Sequence, residues 1–451
     1  MTLRSRVLAA PDIAAADTNS GQKRASFWKI AFLVFLFYVS SGFPFALINV
    51  PIFYGSWVVS VIILIGTAIY MIHRRGRRFD GWDRGILALM TLCLVVSAIS
   101  NTLIFPQELS GWLPAFHTIM PLLLIFLLKA VNISSRDVAT ALVIIGVTAG
   151  ILLTLDHALQ FSFMEAYQRL ATTDTSLRRI VFLKNELAFA TIVIVSRIAF
   201  TRSSKAILIY LMLLAPIGYS LIVISESRLA IGATLMACAV FTVVVVRGTR
   251  LFAFLLAGGL AALIILPLAL GKYIDQIERS RNYLEQDSSI RYRLVECEYF
   301  YNLFQKTSGV GFGIMSTGTD KKNPLAFAEQ SYAMSTGYGL YIADIGILSA
   351  LVQFGYIGVV AVVAMTIKVG VFLLRNGRRS SLPGHKEAAG LGAIVLCLFF
   401  NPWPLNLFTL QWTAMSGGLV WYVAARCAQE IKQAGVLSSR STGMRQIGAT
   451  S

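Results

Sequence analysis

"HRRGRRFDGWDR", His73 to Arg84, carries five arginines between two apolar runs, 53–72 and 86–105. Each flanking run is about 20 residues long, the length an α-helix needs to cross the hydrocarbon of a bilayer. Short loops rich in Lys and Arg stay on the cytoplasmic side, so this segment is an inward turn between two spanning helices. Reading outward from it, further apolar runs fall at 28–47, 113–131, 138–155, 187–200, 207–224, 229–246, 251–270, 347–374, 388–400 and 407–425. The expectation is an all-α polytopic membrane protein of about 12 transmembrane helices. Composition agrees, since 56% of the 451 residues are hydrophobic and only 14% are charged.

The same loop fixes the orientation of the rest. With the N-terminus inside, Lys129, Arg136, "RIAFTRSSK" (Arg197 to Lys205), "RGTR" (Arg247 to Arg250) and "RNGRRSSLPGHK" (Arg375 to Lys386) all fall on the cytoplasmic side. The short outward turns at 49–52, 106–111 and 401–406 contain no Lys or Arg. Only Arg228 breaks the alternation among the short loops. The net charge of +17 is therefore a topology signal and calls for no nucleic acid. The domain layout that follows is a cytoplasmic tail 1–26, helices 1–9 over 27–270, a large extracytoplasmic loop 271–346, helices 10–12 over 347–427 and a cytoplasmic tail 428–451. Residues 1–26 lack an apolar core and do not read as a cleaved signal peptide. Five cysteines and four histidines form no metal-ligand spacing and no disulfide framework, so neither a metal nor a cofactor is expected.

Ionisable residues at the outward helix ends are the informative minority, because holding one in the bilayer costs roughly 2.5–3.5 kcal/mol without a partner or water. "VISESRLAIG" puts Glu226 and Arg228 at one such end. "RRIVFLKNELAF" brings Arg178, Arg179, Lys184, Asn185 and Glu186 to the next. Asp156 and His157 close the fifth run, His117 lies near the end of the fourth, and Asp344 enters the tenth. Singly, each reads as an interfacial anchor or a local ion pair. Together they gather at one membrane face under one large loop, where arginine forks suit a diphosphate.

Within that loop, "SSIRYRLVECEYFYNLFQKTSGVGFG" (Ser288 to Gly313) reads as an amphipathic helix. Leu294, Cys297, Tyr301 and Phe304 form its apolar stripe, and Arg291, Glu298, Asn302 and Gln305 its polar one. Gly309, Gly311 and Gly313 then suit a tight turn, or a nest of N–H groups that could meet an anion.

Three stretches in this order, "ISESRLAIGATLMA", the Ser288 to Gly313 block and "DIGILSALVQFGYIG", resemble the O-antigen ligase and bacterial polysaccharide polymerase superfamily. The resemblance covers about residues 185–360. It implies a GT-C-like, metal-independent membrane glycosyltransferase at the outer face of the bacterial inner membrane. Its substrates would be undecaprenyl-diphosphate-linked saccharides, with a flippase and chain-length or export proteins as partners. Arginines matching Arg228 and either Arg291 or Arg293 would hold the diphosphate, and Asp344 would stand where ligases carry His. The Asp-x-Gly form resembles the exopolysaccharide polymerases, which points to joining repeat units rather than to ligation. Val295 replaces a Trp usual in the loop helix, and the Pro usual before the glycines is missing. Lys184, Glu226, His157 and Arg179 are supporting candidates, His157 also as a spare base. The alternatives are ligase-type transfer to another acceptor, transport of lipid-linked sugars, and a scaffold for an export complex. Against transport stand the want of an internal repeat and the position of the large loop after the ninth run.

Overall fold

The computed structural model describes residues 13–48, 53–74, 78–104, 116, 119–159, 168–169, 179–180, 183–224, 228–246, 248, 250–252, 289–314, 345–400 and 414–448. These are almost wholly helical. In chain order the helices are α1 (Ile13–Ser40), α2 (Phe43–Leu47), α3 (Phe53–His73), α4 (Gly81–Ile99), α5 (Leu124–Val131), α6 (Ser135–Leu159), α7 (Lys184–Phe200), α8 (Ser204–Tyr219), α9 (Arg228–Val245), α10 (Ser289–Gln305), α11 (Leu348–Arg379), α12 (His385–Phe399) and α13 (Ala414–Gly448). A pair of two-residue strands, Gln168–Arg169 and Arg179–Ile180, is joined antiparallel.

Among the described residues five helical stretches are long and apolar enough to cross a membrane: Tyr54–His73, Gly81–Ile104, Ser135–Leu159, Ser204–Ile224 and Leu348–Arg379. Shorter apolar helices occupy Ser26–Ser40, Met120–Val131 and Ala230–Val245. The chain is a multi-pass membrane protein. Its outer surface is correspondingly greasy, with Leu208, Met212, Ile357 and Val360 exposed, as residues facing acyl chains should be. Most of the ninth expected span, 251–270, and most of the large loop lie outside the described residues. Helix α1 begins at Ile13 and α13 ends at Gly448, so helical backbone runs on into both stretches that hydropathy assigns to tails.

The core is built where α6, α7 and α12 meet their neighbours, around Phe126, Phe189, Phe241, Trp421 and Tyr422. Small residues set the closest approaches. A Cβ on Gly146 would lie 2.2 Å from Cβ of Ala190, and one on Gly377 would lie 2.2 Å from Cβ of Ala389.

One face of the bundle is tied by ionic contacts between the helix ends that the sequence places inside. Lys129 bridges Asp80 at 2.7 Å and Asp83 at 2.6 Å. Asp80 is also the N-cap of α4, accepting from the N–H groups of Trp82 and Asp83. Ser26 donates to Asp137 at 2.5 Å, Lys29 donates to the Asn132 carbonyl, and Arg197 pairs with Glu387 at 3.5 Å. Glu430 collects the most: His385 Nε2 at 2.9 Å, Ser135 Oγ at 2.8 Å, the Ser135 N–H and Arg426 Nε at 3.0 Å. His385 turns its Nδ1 to the Asn376 side chain at 3.1 Å. Tyr422 donates to the Ile133 carbonyl.

Candidate functional site

Of the residues singled out by charge and position, Asp156, His157, Lys184, Asn185 and Glu186 lie at the opposite helix ends, where the backbone is irregular. Helix α4 passes into a π turn at Ser100–Ile104, and α8, with Pro216 inside it, passes into another at Ser220–Ile224. A proline removes one N–H from the helical ladder, so the chain after it has to regroup its hydrogen bonds. Ser220 Oγ donates to the Gly150 carbonyl of α6 at 3.1 Å, which fixes the second π turn against its neighbour. Leu183, the N-cap of α7, has φ 45, a left-handed conformation that costs a bulky side chain on the order of 1–3 kcal/mol. The strain sits directly before Lys184, Asn185 and Glu186. Asn185 and Glu186 are buried there, and Ser416 at the start of α13 donates to Glu186 Oε1 at 2.6 Å.

Arg228 is the first residue of α9, and Arg291 and Arg293 lie in the first turns of α10. Three arginines thus stand at two helix N-termini, where the unpaired N–H groups and the dipole also favour anions. Their side chains, with Asp344, Glu226 and His117, lie outside the described residues. Lys184 opens α7 and interacts electrostatically with Glu186. Arg179 pairs with Arg169 in the strand register. His157, near the end of α6, is exposed and hydrogen-bonds through Nδ1 with the Tyr219 hydroxyl at 3.1 Å.

The glycine-rich loop is fully described, and of its two readings the tight turn is the one seen. Helix α11 is broken at Gly355, whose φ 67 and ψ −166 are not helical. The break frees the carbonyls of Val352 and Gln353, which accept from the N–H groups of Phe312 at 2.8 Å and Gly313 at 2.6 Å. Gly311 N–H goes to Thr307 Oγ1, Val310 N–H to the Thr307 carbonyl and Ile314 N–H to Ser97 Oγ. Five successive N–H groups, 310 to 314, are therefore spent on protein acceptors, so this stretch is a clasp and not an anion nest. The glycines are required by contact as well as by φ. A Cβ on Gly355 would lie 2.2 Å from the Gly309 carbonyl oxygen, and one on Gly311 would lie 2.6 Å from that of Gln353.

The clasp joins α10 to α11. Phe300, Phe304, Phe312, Ile345 and Val352 form one buried cluster, and Phe304 meets Tyr356 edge-on at 5.5 Å between ring centres. Ile345 follows Asp344 directly, so the residue next to Asp344 is packed against the helix that carries Arg291 and Arg293. Gly346, the glycine of the Asp-x-Gly, has φ 59, and its carbonyl accepts from Ser349 N–H and Oγ. Of the expected stripe on α10, Phe304 is buried and Cys297 packs against the same cluster, while Tyr301 is 41% exposed and the side chain of Leu294 lies outside the described residues; Glu296 and Phe300 are buried as well. Glu298, Asn302 and Gln305 are exposed as read.

Residues 209–363 match the O-antigen ligase family. Over that stretch, less than half of the chain, the protein is similar to the O-antigen ligase family. The matched residues run from α8 through the clasp and into α11, and so include Arg228, Arg291, Arg293 and Asp344. No curated protein sequence matches the chain.

Sequence spacing missed two constellations. The Glu186 and Ser416 pair is 230 residues apart in sequence, and only the presence of a carboxylate at a span entry hints at it. His385, Cys427 and Glu430 bring three ligand-type atoms within 4.8 Å of one another, on the ionic face. Their hydrogen bonds to Asn376 and Ser135 already engage the histidine and the carboxylate.

Proposed function

We propose that this protein is a metal-independent, GT-C-type glycosyltransferase that joins undecaprenyl-diphosphate-linked oligosaccharide repeat units into an exopolysaccharide or O-antigen chain. It does so at the outer face of the bacterial inner membrane, with both termini in the cytoplasm and about twelve spans. The observation that carries this reading is the clasp inside the family-matched stretch. It holds the helix bearing Arg291 and Arg293 against the helix entered from Asp344.

In the reaction, a hydroxyl of the acceptor saccharide attacks the anomeric carbon of the lipid-linked donor. The bond between that carbon and the diphosphate oxygen breaks, and lipid diphosphate departs. Asp344 takes the hydroxyl proton as general base. Arg228 with Arg291 or Arg293 meets the charge growing on the diphosphate, a fixed cationic cradle where other enzymes hold a metal. Lys184, Arg179 and Glu226 stand in support at the same face, with His157 a second base candidate. The Asp-x-Gly at the start of α11 favours polymerisation over ligation, since ligases carry His there.

The test is to supply purified protein with lipid-linked repeat units and follow product length. A ladder of lengthening chains supports the polymerase. Single saccharides moved to a non-identical lipid acceptor would make it a ligase, and no transfer to any acceptor would remove the enzyme reading.

A further inference from the structure

The ionic face contains a basic feature that the network there leaves unused. Helix α11 ends on Arg375, Arg378 and Arg379, which with Val244 of α9 and with Val371 and Leu374 line an open cavity of about 530 Å³. Val371, Arg375, Arg378 and Arg379 follow at helical spacing, so one side of the helix reads apolar above and cationic below. The three arginines are exposed, Val371 is 49% exposed, and Leu374 forms a buried floor. Lys129, Arg197 and Arg426, elsewhere on this face, all reach carboxylates. Among the described residues no carboxylate lies within salt-bridge distance of Arg375, Arg378 or Arg379.

This arrangement has the outline of a phospholipid: aliphatic wall for an acyl chain, then guanidinium forks at headgroup depth. Arginine forks grip phosphate oxygens two at a time. Basic pockets between transmembrane helices on the cytoplasmic side are suited to anionic lipid headgroups. We infer that the cavity between the ends of α9 and α11 is a binding site for an anionic phospholipid of the cytoplasmic leaflet, held by its phosphate on Arg375, Arg378 and Arg379. The inference rests on the inward assignment of this face and is independent of the transfer chemistry at the other. It gives the triad a task besides topology, namely seating α11 in the inner leaflet.

Native mass spectrometry of the purified full-length chain tests it with dioleoyl phosphatidylglycerol and dioleoyl phosphatidylcholine, which share acyl chains and differ in charge. The wild type should retain the anionic lipid over the zwitterionic one by at least about tenfold. R375Q/R378Q/R379Q should lose that preference. R84Q/R136Q/R202Q, which removes the same charge from exposed arginines elsewhere on the face, should keep it. Glycerol 1-phosphate at equal concentration should not displace the adduct, because it lacks the acyl chains. If the triple variant fails to insert, R378Q alone should still weaken retention several-fold. A wild type indifferent to headgroup charge, equal losses in both triple variants, or full displacement by glycerol 1-phosphate would each overturn the lipid site.

Discussion

The two faces of this bundle solve the problem of ending a helix in opposite ways. On the ionic face the ends are orderly: Asp80 caps α4, Ser203 caps α8, and polar and charged residues pair across helices through Lys129, Arg197 and the His385–Glu430 contact. On the other face the ends are irregular: two π turns, a left-handed leucine, a broken helix at Gly355 and buried Asn185, Glu186 and Asp156. Irregular backbone at membrane depth persists only where it is packed in protein or lines a cavity, and strain of this kind gathers at functional sites. The contrast teaches where each task is done. One face holds the bundle together, and the other is shaped at a cost in stability.

The largest effects should come from breaking the irregular face at its charges. Arg228→Lys and Arg291→Lys keep the charge and lose the fork, so polymer yield should fall by about a hundredfold or more with normal protein level in the membrane. Arg293→Lys reads the register, because only one of Arg291 and Arg293 should matter strongly. Full-rate chain growth by both Arg228→Lys and Arg291→Lys would remove the clamp. Asp344→Asn preserves size and loses the proton acceptor, so elongation should drop by a factor on the order of a hundred while lipid-linked donor still binds. An Asp344→Asn variant that elongates at the wild-type rate would end the base assignment.

The clasp yields the next effect. Gly355→Ala places a methyl 2.2 Å from the Gly309 carbonyl oxygen at a φ of 67, and the strain costs on the order of 1–3 kcal/mol before any clash is counted. Elongation should fall about tenfold or more as α10 and α11 lose register, and melting in detergent should drop. Gly232→Ala is the control, because a Cβ there meets nothing within 4 Å. Equal activity in the two variants would show that the clasp does not set the site.

How much of this was legible in the sequence depended on range. Apolar runs announce helices by themselves, and "HRRGRRFDGWDR" marks an inward turn without reference to anything distant. The order of the three family-like stretches was equally readable, and a match over 209–363 supports it. What failed needed a partner far along the chain. "LVQFGYIG" reads as an unbroken apolar helix, because the break at Gly355 is stabilised by N–H groups of Phe312 and Gly313 some forty residues upstream. On α10 the stripe departs at Tyr301, which is exposed, while Glu296, an acidic residue, is buried with Phe300. The packing of that helix against α11 decides the face, and spacing alone fits either stripe.

The smallest expected effect belongs to the ionic face and checks that the two faces are separable. Burial pushes the Glu430 carboxyl up, but hydrogen bonds from His385 and Ser135 and the charge of Arg426 outweigh it, so the net shift is downward from the ordinary 4.5. A carboxylate held below its unfolded value contributes stability that is fully present above that value and is lost as pH falls through the folded one. At neutral pH Glu430→Gln should therefore lower stability by about 1–3 kcal/mol, the scale of hydrogen bonds to a charged group. Glu430 is 17% exposed in its side chain, so solvent screening places the loss toward the lower end of that range. The gap between variant and wild type should narrow as pH is taken below 4.5, because the wild-type carboxylate then protonates and becomes nearly equivalent to the amide. Thermal melting in detergent at pH 7 and again at pH 4 measures this, and chain growth at a temperature where both proteins are folded should be unchanged. A Glu430→Gln variant that melts like the wild type but elongates poorly would mean that the ionic face takes part in catalysis, and the division of labour between the two ends would fall.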